Sequence, residues 1–229
     1  MQLIIDKVFL WFDFNLNIVI EYMPFFLKGA VLTIGISVAG ILIGTFLGLF
    51  IGIGKMIKIT VFRLPFIWYI NFFRGTPLLV QLFLIHFGVM GLFMSPVSKT
   101  ASAIVALSLN SAAYVAEIFR AGIKSIDIGQ SEAASSLGMN KFQVMRYVVL
   151  PQAFKRMIPP LGNEFIVLLK DSSLAAMIAA PELLYWGKAA VGQYTRVWEP
   201  YLTVAIFYLI LTLSLTYLLN RLEKRLDAQ

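Results

Sequence analysis

The chain contains no cysteine and a single histidine, His86. Disulfides and thiolate metal sites are therefore excluded. His86 stands alone in an apolar stretch with no metal partners at ligand spacing, so a packed or hydrogen-bonded ring is expected. Charge is scarce too: Asp, Glu, Lys and Arg make up 14% of the 229 residues, against 59% hydrophobic. That balance is too oily for an ordinary soluble domain, and the long apolar stretches point to a helical membrane protein. A phosphate-binding loop is missing as well. The nearest approach, Gly54-Lys55, has Leu49 where the first glycine would stand and Met56 where a Ser or Thr would follow. With no ATP site, any energy from ATP must enter through another chain. Asp6 beside Lys7 and the lack of a small-residue cleavage site argue against a cleavable signal.

What remains is organised into spans. Residues 1–24 are rich in aromatics, but Asp6, Asp13 and Glu21 interrupt them, so they are expected to lie along the membrane interface. A transmembrane domain is expected over residues 25–222, followed by a cytoplasmic tail at 223–229. Span one covers about 25–53. Gly40, Gly44, Gly48 and Gly52 recur there on one helical face, which lets a neighbouring backbone approach closely. Such a ridge serves either a fixed bundle contact or a moving seam. Span two is expected to be broken into 62–73 and 77–93, because Gly75 and Pro77 oppose a continuous helix. Spans three, four and five follow at about 100–122, 158–180 and 201–222, with Pro159 and Pro160 in the first turn of span four. The basic excess of +7 is concentrated in the loops after spans one and three and in the tail. It speaks for membrane orientation, and nucleic acid is not an expected partner. The positive-inside rule puts the C-terminus and the loop at 123–157 in the cytoplasm, and five spans then put the N-terminus outside.

The loop at 123–157 is built with care. Ser131 can cap a first helical piece, and Glu132 sets negative charge at its positive end. Gly138 is a natural stop. Asn140 and Gln143 have capping-box spacing, and Pro151 marks the next boundary. Ala133 and Ala134 are expected to leave a bare surface for another protein. The pattern Glu132-Ala133-Ala134, Gly138, then Leu150-Pro151 resembles the signature loop of bacterial ABC-importer permeases, with Val148 where that family often has Ile. Three more segments resemble the polar amino-acid branch. They are residues 73–79 (Phe-Arg-Gly-Thr-Pro-Leu-Leu), 113–122 (Ala-Tyr-Val-Ala-Glu-Ile-Phe-Arg-Ala-Gly) and 169–174 (Leu-Lys-Asp-Ser-Ser-Leu). The resemblance covers most of the chain.

Acids inside a membrane are costly and are candidates for function. Glu164 and Asp171 lie seven residues apart in span four, on one face and about 10 Å apart along the axis. Asn110, Tyr114 and Glu117 form a second stripe in span three. The two stripes are expected to face each other across a substrate path. Glu164 and Asp171 would bind a cationic side chain, with Tyr114 adding a cation–π contact. For Glu164 the structural alternative is an interhelical ion pair, with Arg74 as a candidate partner. For Glu117 it is a surface pair with Arg120, and Asp171 has a purely structural reading too.

The resemblance implies an all-α polytopic permease with five transmembrane helices of the type I ABC importer kind. Its cytoplasmic coupling helices would carry Glu132, Ala133, Ala134, Gly138, Leu150 and Pro151. It implies import of polar amino acids by alternating access in the bacterial cytoplasmic membrane. Where histidine, lysine and arginine permeases often have glutamate, this chain has Glu164, so a basic substrate is expected; glutamine is the alternative. Implied partners are cytoplasmic ABC ATPase subunits, an extracytoplasmic amino-acid binding protein and a second permease, in a homodimer or a heterodimer. No cofactor or metal is expected on this chain, since ATP and Mg would sit on the ATPase, and no catalytic residue is assigned. Two rivals come from other classes. An ion-coupled secondary transporter lacks its usual inverted repeat here, and a channel or membrane scaffold would need no ATPase.

Overall fold

A computed structural model describes residues 14–227. It is all-helical, with 87% helix and no strand among the described residues.

Helix α1 spans Leu16–Lys55. At 1.5 Å per residue its 40 residues extend about 60 Å, well beyond a hydrocarbon layer of about 30 Å. Asn15 caps it, the side chain accepting from the Asn17 amide. The boundary expected at residue 24 is therefore no break in the helix. Tyr22 and Phe26 are buried one turn apart, in a cluster with Leu183, Ala190 and Val204, and this packing carries the helix through Pro24. The rest of the expected interfacial segment, residues 1–13, lies outside the described residues.

The glycine ridge packs against α4 (Lys99–Lys124). A Cβ added at Gly44 would stand 2.9 Å from Ser111 Cβ, and one at Gly48 would stand 2.7 Å from Val115 Cβ. On α4, Ala103, Ala106, Ala112, Ala113 and Ala116 are all fully buried. Small residues on both sides let the backbones meet, which matters where lipid offers no hydrophobic drive for helices to associate.

Between these helices, α2 (Thr60–Gly75) and α3 (Leu78–Phe83) meet at an angle of 109°. A π turn (Leu84–Val89) and a 3-10 turn (Met90–Leu92) continue α3. Pro77 forces Thr76 into extended backbone, φ −120° and ψ 150°. Gln81, 1% exposed, then reaches back, its Nε2 donating to Phe73 O at 2.9 Å and Thr76 O at 3.0 Å. The broken end thus keeps its carbonyls satisfied away from water.

After α4 comes α5 (Ile128–Ser136), then the short α6 (Lys141–Gln143), a π turn (Val144–Val149) and α7 (Leu150–Asp171). A 3-10 segment, Ser172–Ile178, extends α7. Pro159 and Pro160 lie in the interior of α7, not in its first turn. The proline in that first turn is Pro151, where its fixed φ and missing N–H suit a helix start. Helix α8 (Leu183–Tyr194) occupies a stretch expected to be loop, and α9 (Trp198–Asp227) closes the bundle.

Among the described residues, α1, α4 and α9 are long and apolar enough to cross a membrane, and the bent pair α2–α3 would make a fourth crossing. The expected fifth is α7. Lys155, Arg156, Glu164, Lys170 and Asp171 dilute its apolar run.

Candidate functional site

Four of the five polar residues singled out in spans three and four line one cavity of about 460 Å³: Asn110, Tyr114, Glu164 and Asp171. Its lining is completed by the broken end of α2 and by apolar positions of α4 and α7, among them Thr76, Pro77, Leu107 and Val167. The break at Pro77 thus forms part of the cavity wall. Both charged lining residues are carboxylates. Glu164 faces Ser111 and lies within electrostatic reach of Asp171, which repels it, and Arg74, which attracts it. No ion pair within 4 Å joins Glu164 to Arg74 among the described residues. Instead Arg74 stands over the Tyr114 ring, 5.3 Å from its centroid. A cation already uses the aromatic face expected to meet substrate. Asn110 donates to Gln81 Oε1 at 2.9 Å and to Phe73 O at 3.2 Å, so it buttresses the helix break while facing the cavity.

Glu117 is placed differently. It does not line this cavity. Its carboxylate accepts from Lys55 Nζ at 2.5 Å and Arg120 Nη2 at 2.8 Å, with Arg74 Nη1 at 3.9 Å. It ties α1, α2 and α4 together about one helical turn along α4 from Tyr114, the surface-pair alternative enlarged to a three-cation hub. With its oxygens already engaged, it is poorly placed to take a substrate.

In the loop, the capping box at Asn140 and Gln143 is formed in both directions. Gly138 has φ +85°, the left-handed region that favours glycine. The Gly138 amide donates to Ser135 O and the Met139 amide to Ala134 O, a Schellman closure of α5. Two expectations need correction. The N-cap of α5 is Asp127, whose side chain accepts from the Gly129 amide, so Ser131 lies inside the helix. Ala134 is not a bare outer surface. It is 6% exposed and packs with Ile126, Val144, Val149, Ala153 and Met157 of its own chain. The C-terminal contact of the Schellman turn pulls that face inward. Glu132, Ala133, Gly138 and Pro151 are exposed and Leu150 is half-buried. The outward surface also carries larger apolar groups: Leu137 (85% exposed), Ile128 (73%) and Phe142 (70%). At the loop's root, Arg156 Nη1 donates to Ser125 O.

Glu182 lies between the spans expected at 158–180 and 201–222, outside the residues singled out in the sequence. It is fully buried and caps α8, accepting from the amides of Leu184 and Tyr185 at 2.9 and 2.8 Å and from Tyr208 Oη at 2.8 Å. Gln81 was also missed. Its signal was a lone amide in an apolar run just after a helix break. Neither residue has a motif. His86 is hydrogen-bonded, its Nδ1 lying 2.8 Å from Ser102 Oγ.

A helical membrane bundle with a carboxylate-lined cavity beside a broken helix has the architecture of a transport permease. The chain belongs to the family described as binding-protein-dependent transport system inner membrane component, matched over residues 44–228. It is 39% identical to the arginine transport system permease protein ArtQ of Bacillus subtilis (strain 168), over 94% of this chain and 99% of that one. It is 36% identical to the glutamine transport system permease protein GlnP of Escherichia coli (strain K12), over 93% and 98%. A solved structure described as an amino acid ABC transporter with histidines matches at 42% identity and a TM-score of 0.88, over 93% of this chain and 99% of that one. The chain is therefore an inner-membrane, multi-pass ABC importer permease, a transport subunit and not an enzyme. The ATPase that drives it is a separate subunit, and family membership implies a binding protein as well.

Proposed function

We propose that this chain is the permease of an ATP-driven importer for basic amino acids (arginine, lysine or histidine). The cavity whose two charged lining residues are Glu164 and Asp171 carries this reading. Two carboxylates in a confined space favour a cationic guest, since an ionised acid away from water needs a partner. Thr76, Asn110 and Asn163 add hydrogen-bonding groups for the α-amino and α-carboxyl ends of a substrate. The arginine permease among the relatives supports this choice, while the glutamine permease keeps an uncharged substrate as the second reading.

In this reading Glu164 and Asp171 hold the substrate, Asn110 positions the broken helix, and Tyr114 with Arg74 borders the cavity. Glu117 is structural. The loop at 123–157 faces the cytoplasm, the C-terminus is inside and the N-terminus outside, with α7 as the fifth crossing. The α5–α6 surface, with Glu132, Ala133 and the turn at Gly138, couples to the ATPase. Leu150 and Pro151 set the start of α7 that carries its motion to the cavity. ATP and Mg act on the ATPase, and alternating access follows as two permeases rock against each other.

Uptake of labelled arginine and glutamine into proteoliposomes holding the assembled transporter tests the reading. Glu164→Gln should lower arginine uptake about tenfold more than glutamine uptake. Equal loss of both, or no loss, would overturn the basic-substrate assignment. Reporter fusions after Lys58, Pro96 and Arg146 test the topology, and a cytoplasmic Pro96 fusion would sink the five-span arrangement.

A further inference from the structure

A second cavity, of about 550 Å³, opens near the Glu117 hub and has the opposite electrostatic character. It is lined by Lys55, Arg63, Arg120 and Lys124, with Met56 and Ile67 supplying the apolar wall. No carboxylate lines it. Lys55 and Arg120 share Glu117 between them, so one negative charge offsets part of four positive ones. Arg63 makes no ion pair among the described residues, and its Nε is buried without a hydrogen-bond partner. A guanidinium N–H withdrawn from water and left unpaired marks a place where an acceptor is wanted. The flanking surface of α2 is apolar and open: Val61 is 72% exposed, Phe62 62% and Trp68 72%. Exposed aromatic and aliphatic groups beside clustered cations are the surroundings of a bilayer interface.

We infer that this cavity binds the phosphodiester headgroup of an anionic phospholipid, with Arg63 and Lys124 as the cations free to hold it. Basic pockets between spans on the cytoplasmic side suit such headgroups. Guanidinium groups match phosphate oxygens in geometry as well as charge. The acyl chains would lie along Val61, Phe62 and Trp68. The inference rests on the cytoplasmic placement of this end of the bundle and not on the identity of the transported amino acid. It goes beyond transport itself: the occupant would brace α1, α2 and α4 around the hub.

Native mass spectrometry of the detergent-solubilised transporter, full-length permease with its ATPase, tests the site. The probes are phosphatidylglycerol, phosphatidylcholine and inorganic phosphate. Phosphatidylglycerol should be retained at least about tenfold better than phosphatidylcholine, and Arg63→Gln/Lys124→Gln should abolish that preference. Lys99→Gln/Lys188→Gln removes the same charge elsewhere and should leave it intact. Displacement of phosphatidylglycerol by inorganic phosphate in the millimolar range would overturn the lipid assignment in favour of a soluble anion. Equal retention of both lipids by the native chain overturns the proposal whether or not the double variant assembles. Unchanged retention in that variant overturns it as well. So does retention by the isolated permease that vanishes when the ATPase is bound, because the pocket is then a protein contact. Arginine uptake in pure phosphatidylcholine separates this test from the substrate assignment, since Glu164 selectivity can hold while lipid retention fails.

Discussion

Glu164 and Glu182 are two acids inside the same helical bundle, and neither has a cation within ion-pair distance among the described residues. They differ in where their hydrogen bonds go. Glu182 is fully buried, with two helix amides and the Tyr208 hydroxyl around it. Its oxygens are occupied by the N-terminus of α8 and the Tyr208 hydroxyl. Glu164 faces a cavity in which the other charged lining group is a second carboxylate. One acid is complete within the fold and the other is not. A carboxylate inside the bundle therefore points to a ligand when it faces a cavity that the fold has not filled with partners.

Variants at the two positions should separate accordingly. The largest effect is expected from Glu182→Ala. It removes the cap of α8 and strands two amides and a tyrosine hydroxyl, a loss of about 3 kcal/mol or more. Detergent-solubilised assembly should melt well below the parent, and uptake of every substrate should fall with the amount of folded protein. Glu182→Gln keeps an acceptor and should recover part of the stability. If Glu182→Ala melts normally yet changes substrate preference, the comparison between the two acids fails. Next comes Glu164→Gln, which should leave the melting temperature nearly unchanged. A tenfold loss of arginine-over-glutamine discrimination equals about 1.4 kcal/mol. A smaller effect, about 1 kcal/mol, is expected at the loop. Gly138→Ala places a Cβ at φ +85° and strains the turn between α5 and α6. Gly138→Asn should be milder, because asparagine tolerates this conformation. ATP hydrolysed per molecule transported should rise in the alanine variant. If both variants couple as the parent does, the loop's geometry is irrelevant to the ATPase.

The contrast with Ala134 sharpens the same lesson. Two small residues side by side, Ala133 and Ala134, looked equivalent in the sequence. In the fold Ala133 is exposed and Ala134 is buried in one cluster with Val144 and Met157. A bulky residue at Ala134 should therefore disrupt the loop from within, and loop stability and coupling should fall together.

Much of the architecture was legible in the chain alone. Apolar runs gave the long helices, Gly75 and Pro77 gave the break in α2–α3, and Asn140 with Gln143 gave a cap that forms as the spacing requires. These features depend on local geometry: a missing amide, a fixed φ, a side chain three residues from its partner. The four-segment motif likewise marked the family. The sequence also placed Asn110, Tyr114, Glu164 and Asp171 on two helical faces, because period alone determines a face. Only the tertiary structure decided that these faces enclose one cavity, that Glu117 is drawn away into a hub with Lys55 and Arg120, and that Glu182 caps α8. It also decided that α1 runs unbroken from Leu16, since Tyr22 and Phe26 reach α8 and α9 residues more than a hundred positions away. Such outcomes depend on which distant groups meet. No local spacing encodes that, because the free energy that selects one partner for a buried charge exists only once the helices have packed.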